Sequence, residues 1–201
     1  MKNAVLLIGA SLLLFGQPTL TGCRDGNGKG QTTADSALNN SDSKKEAEAQ
    51  NKEKFVSAGN EKDARFVVDA VASNLNEIKL AQEGGKSGNA AVKKLAQQLE
   101  TEHGKLVSEL DSFANTHHIT LPTAAAKEAD EDVKKLQNKT ATAFDREWVQ
   151  LMIDKHEKTI DKYKQASGNV TNADLKNWID RTLPKVQMHL DMLTQLDKQT
   201  R

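Results

Sequence analysis

Three of the five histidines in this sequence stand at helical spacing from large apolar residues. His103 continues the run Leu95 and Leu99 and precedes Leu106 and Leu110; His156 follows Met152 by four residues; His189 follows Val186 by three and precedes Leu193 by four. Residues three and four apart share a helix face, so each imidazole lies on an apolar stripe or at its edge. A single inward imidazole easily satisfies its hydrogen bonds inside a protein. Three on three different segments are the side chains from which metal sites inside helical bundles are built.

Carboxylates narrow the donor set. Glu77 interrupts an apolar face beside Ile78 and Ala81, and Glu100-Thr101-Glu102-His103 places a glutamate three residues before a histidine. That spacing puts both side chains on one face of a di-iron helix. The pattern stops there, because Ile153 and Val186 occupy the same position before His156 and His189. A carboxylate-bridged di-iron oxidase is therefore not expected. A histidine-richer centre made of Glu77, His103, His156 and His189, with Glu100 as substitute ligand, suits zinc, copper or iron. His117 and His118 end a helix, where an imidazolium complements the negative end of the dipole, and are read as caps. No catalytic side chain stands out.

The elements that must position these residues are helical. Phe66, Val67, Ala70, Val71, Leu75, Ile78 and Ala81 form one face of a helix from about residue 61, stopped by Gly84-Gly85. A second helix runs from about Asn89 to His117 and breaks at Ile119-Thr120-Leu121-Pro122. A third, from about Phe144 to Ala166, carries Trp148, Met152, Ile160 and Tyr163. Thr171, Asn172 or Asp174 can cap a fourth, which Pro184 is expected to kink or divide. A short helix is expected around Val133–Leu136 in the long connection at 118–143. Trp148, Trp178 and Tyr163 read as packing residues. No segment alternates with period two, so no sheet is expected. The fold class is all-α, a four-helix bundle over residues 61–199.

If the short turns near Gly85 and Gly168 lie at one end, His103, His156 and His189 sit roughly 16, 13 and 19 residues above it, a spread of about 9 Å. With the long connection crossing the bundle, the spread is similar and Glu77 comes closer to His189.

The N-terminus carries a different signal. Lys2 precedes an apolar run from Ala4 to Phe15, too short for the about 20 residues a spanning helix needs but suited to a cleaved signal peptide over residues 1–22. Leu20-Thr21-Gly22-Cys23 resembles the lipobox of bacterial lipoproteins, which implies lipidation of Cys23 and a membrane anchor. Cys23 is the only cysteine, so disulfides and cysteine-based chemistry are excluded once it is acylated. Arg24 in place of aspartate points to the outer membrane, with the domain facing the periplasm or the surface. Residues 23–60 are polar, with few large apolar side chains, and read as a flexible tether reaching roughly 30–37 Å. With 28 basic and 28 acidic residues the chain has no net field to recruit nucleic acid.

Phe66, Asn76-Glu77-Ile78, Glu102-His103, Phe144-Asp145, His156, Leu183-Pro184 and His189-Leu190 resemble the landmarks of an uncharacterised family of ferritin-like bacterial envelope proteins, described as outer membrane proteins. The resemblance spans about residues 62–198. It implies a ferritin-like bundle and a metal centre at Glu77, His103, His156 and His189, but no reaction, since fold alone does not give function. Two function classes follow. One is a binding or structural module of the envelope whose histidines complete a polar core. The other is a metal-binding protein with redox or metal-handling activity.

Overall fold

The computed structural model describes residues 42–55 and 57–200. The described residues form six helices and no strand: α1 (Asp42–Lys54), α2 (Ala58–Gly84), α3 (Ala90–His117), α4 (Lys127–Gln137), α5 (Ala141–Ser167) and α6 (Ala173–Thr200). This is the expected all-α bundle, with α2, α3, α5 and α6 as its four long members.

Local chemistry sets the boundaries. The Ser57 hydroxyl accepts from Asn60 N–H at the start of α2. The Asn89 side chain accepts from Ala91 and Val92 N–H at the start of α3, and Asn172 does the same for Asp174 and Leu175 before α6. His118 closes α3 in the left-handed region, at φ 56°, while Ile119 N–H reaches back to Ala114 O. This backbone closure is the one ordinarily built on glycine. His118 is thus a cap, but through its conformation. The His117 ring instead lies against Phe113, with centroids 4.2 Å apart. Pro184 does not divide α6, which is a single helix through it.

The two short turns lie at opposite ends of the bundle. Asp63, near the start of α2, accepts from Thr171 N–H, the Thr171 hydroxyl and Asn172 N–H in the α5–α6 turn. At the other end of α2, Gly84 lies against Trp148, and Ser87 donates to Asp145, both near the start of α5. The connection after α3 therefore crosses the bundle's length, and it carries α4 on the way. Asn76 accepts from Ala126 N–H, while Lys79 pairs with Asp130, which together hold this crossover to α2. Of the two arrangements open to the sequence, the crossing one forms.

Side-chain burial divides the core into two apolar clusters. One gathers Phe66, Val67, Val71, Leu106, Leu110, Ile160, Tyr163, Trp178 and Val186; the other gathers Leu80, Leu99, Trp148, Met152 and Leu193. Between them lies a buried polar layer to which every long helix contributes: Asn74 and Glu77, His103, His156 and Thr159, and His189. The aromatic residues expected in the core are there, and both indoles also donate, Trp148 to Leu80 O and Trp178 to Glu109.

The reading of residues 23–60 as a tether needs correcting over its second half. Residues 42–54 form α1, which buries Ala47 and Asn51. Asn51 donates to Thr120 O and accepts from Thr120 N–H, at 2.8 and 2.7 Å, so one side chain satisfies both backbone groups of a crossover residue. Docking here rests on polar pairing more than on apolar area, so apolar periodicity could not announce it. The expected signal peptide, Cys23 and residues 24–41 lie outside the described residues. No described helix is long and apolar enough to cross a membrane.

Candidate metal centre

Register brings the four residues to one level. Gly84 packs against Trp148; Glu77 precedes the first by seven residues and His156 follows the second by eight, on antiparallel helices. At about 1.5 Å per residue the two fall at nearly the same height. His103 and His189 complete the layer from α3 and α6. All three ring pairs have centroids 5.1 to 5.6 Å apart. One potential ligand atom from each histidine lies within 4.8 Å of those of the other two. None of the four residues is more than 2% exposed.

Hydrogen bonds decide which ring nitrogens are free. Asn74, on α2, donates its amide to Ala70 O and Tyr163 Oη, which turns its Oδ1 toward His103 Nδ1 at 2.7 Å. Nδ1 must then be the protonated nitrogen. His156 Nδ1 faces Met152 O at 2.8 Å, an acceptor only, so it too carries the proton. Both Nε2 atoms are left as lone pairs. They face one another at 3.3 Å.

Two bare acceptors at that distance repel unless positive charge lies between them. Glu77 adds to the demand. Its Oε1 accepts from the Thr159 hydroxyl at 2.8 Å, but its Oε2 has no hydrogen-bond partner and lies 3.1 Å from His103 Nε2 and 3.7 Å from His156 Nε2. His189 Nε2 faces Glu102 Oε2 at 2.6 Å, which makes Nε2 the donor, and its buried Nδ1 has no partner. Three imidazole lone pairs and one carboxylate oxygen are thus left for the same layer.

The electrostatics point the same way. Burial, against the pull of Glu77, holds the His103 imidazole down to about 4, so it is neutral near pH 7. Burial also lowers His189, against its hydrogen bond to Glu102. Burial pushes the Glu77 carboxyl up, and the pull of His156 and His103 with the Thr159 hydroxyl more than reverses this. A carboxylate buried against ring nitrogens in the core requires a cation, whether a shared proton or a metal.

Histidine nitrogens bind zinc at about 2.0–2.1 Å, which gives a tetrahedral edge of about 3.3–3.4 Å. The 3.3 Å between the Nε2 atoms matches that edge. The second nitrogen of every ring is held by an amide, a carbonyl or a carboxylate, as around metal-ligating histidines generally.

The four expected ligands meet. Glu100 does not join them, because its carboxylate accepts from Gln82 at the surface between α2 and α3, at 3.0 Å. Its neighbour Glu102 approaches the centre instead. Asn74 and Thr159 escaped the sequence reading, although each stands three residues from a candidate ligand, Asn74 before Glu77 and Thr159 after His156, on the same helix face.

No curated protein and no solved structure matches the chain. A family model, described as a domain of unknown function (DUF4142), matches residues 41–196, a span that takes in α1 as well as the four long helices. The chain belongs to this DUF4142 family.

Proposed function

We propose that this protein is a metal-holding helical module of the bacterial cell envelope. The ion is bound by His103 Nε2, His156 Nε2, His189 Nδ1 and Glu77 Oε2. The observation that carries the reading is the pair of facing Nε2 lone pairs beside a buried carboxylate oxygen with no hydrogen-bond donor. Three imidazoles and one carboxylate favour zinc, copper or ferrous iron over magnesium or calcium, which take oxygen ligands. Four protein donors would fill a tetrahedral shell, the closed pattern of structural sites. In this reading the metal ties the four long helices together, and the module displays a binding surface in the envelope.

The single long crossover between two antiparallel helix pairs supports a ferritin-like classification. Location rests on Leu20-Thr21-Gly22-Cys23 and on Arg24, which favour lipidation at Cys23 and sorting to the outer membrane. A Cys23→Ala protein that still fractionates with membranes would refute that anchor.

A metal-free polar core is the competing reading, and one proton bridging His103 and His156 would serve it. Elemental analysis after mild chelation and zinc add-back separates the two. The metal reading requires about one equivalent of zinc and a melting temperature that rises on add-back, by mass action. His103→Ala/His156→Ala protein must lose both responses. Wild-type protein that takes up no zinc, copper or iron would establish the metal-free core.

A further inference from the structure

We propose that Glu102 is the entry ligand of the buried centre, the carboxylate that captures a metal ion at the surface and passes it to His189. This rests on the metal reading of the centre. The four donors are sealed along the bundle axis. Leu99, Met152 and Leu193 lie one turn to one side of the histidines on their own helices, and Leu106, Ile160 and Val186 lie to the other, all of them buried. A hydrated dication does not cross such layers, because nothing there replaces its water.

Glu102 is the break in this wall. Its side chain is 29% exposed, yet its Oε2 accepts from His189 Nε2–H at 2.6 Å. Gln98, one turn earlier on α3, donates to its Oε1 at 2.9 Å and steadies the carboxylate. One group therefore touches both solvent and a ring of the centre. On entry the ion exchanges water for the Glu102 carboxylate while the His189 ring swings aside. The ring returns with Nδ1 on the ion and its Nε2–H again on Glu102. Glu102 then holds the ring's orientation from behind.

The two duties of Glu102 can be separated. Glu102→Gln keeps an acceptor for His189 Nε2–H and removes the charge. Cobalt(II) uptake by metal-free full-length protein in detergent, followed by stopped-flow absorbance, reads the rate and the final stoichiometry together. Wild-type protein should take up one equivalent, with a rate that falls as ionic strength rises. Glu102→Gln should reach the same stoichiometry about tenfold more slowly or worse, within the range that electrostatic steering commands. Glu100→Gln, two residues away and bonded elsewhere, should match wild type. Uptake by Glu102→Gln at the wild-type rate, or a wild-type rate indifferent to salt, overturns the entry role and leaves the centre standing. Wild-type protein that binds no cobalt overturns both.

Discussion

His103 and His156 present their Nε2 atoms to each other at 3.3 Å while each ring's Nδ1 is engaged by an acceptor. Imidazole pairs in a core normally share a proton with one as donor. Here the outer partners, Asn74 Oδ1 and Met152 O, have already taken the donor from both rings. The tautomers are fixed from outside the pair, and the inner space is left for a cation.

That control makes Asn74 a test of the centre. Asn74→Leu removes the acceptor behind His103 and should weaken zinc binding by about 10–100-fold, the usual cost of losing such a partner. Asn74→Asp still accepts from Nδ1 and should retain most of the affinity. Competition against a chromophoric chelator measures both. Equal losses in the two variants would show that the tautomer is not what Asn74 supplies.

Acid should destabilise the metal-free protein in a defined window. His103 titrates near 6.5 when unfolded and is lowered to about 4 when folded, because burial disfavours the imidazolium. As pH falls, the unfolded chain takes the proton first. The stability contributed by neutral His103 is therefore complete above about pH 6.5 and is lost between there and about pH 4, with a slope of at most about 1.4 kcal/mol per pH unit. His189 shifts in the same direction and adds to the effect. The urea midpoint of chelator-treated protein, followed from pH 7.5 to 4.5, should fall. A flat midpoint would contradict a buried, neutral His103.

The buried polar layer was legible in the sequence because helical spacing fixes which side chains face inward. Glu77, His103, His156 and His189 each interrupt an apolar stripe, and interruption is visible without coordinates. The axial register was not legible, because it depends on which ends the short turns occupy. That is settled by Asp63 capping the α5–α6 turn and by Gly84 meeting Trp148. Glu100 and Glu102 could not be ranked for a related reason. Glu102 reaches the centre by leaning across to α6, a direction that spacing along α3 does not encode. The α1 helix stayed hidden because Asn51, a polar residue in a polar segment, is what docks it.

The contact between Gly84 and Trp148 carries its own prediction. A Cβ on Gly84 would lie 2.3 to 2.6 Å from three atoms of the indole. Alanine is favoured over glycine inside a helix by about 1 kcal/mol, whereas forcing extra volume into a packed core costs about 1–3 kcal/mol. The indole cannot easily swing away, since its Nε1–H donates to Leu80 O at 2.8 Å. Overlap should win, and Gly84→Ala should lower the melting temperature. In a Trp148→Leu background, where the clashing indole is gone, the same substitution should cost less or become stabilising. An equal cost in both backgrounds would place the effect elsewhere.

Glu77 distinguishes a functional centre from a structural polar core by the sign of its effect. The Glu77 carboxylate is buried, and its Oε2 has no donor. A group kept for stability would not be left in that condition, since an unsatisfied buried polar atom costs about 1–3 kcal/mol and more when charged. Glu77→Gln keeps the shape and still accepts from the Thr159 hydroxyl at Oε1. It replaces the bare oxygen with an amide N–H that can donate to the Nε2 lone pairs of His103 and His156. Metal-free Glu77→Gln protein should therefore have a higher urea midpoint than metal-free wild type. With zinc present the order should reverse, because the amide is a far poorer ligand and wild type alone gains from the metal. If the variant is the less stable protein under both conditions, Glu77 is part of the architecture rather than a ligand held in readiness.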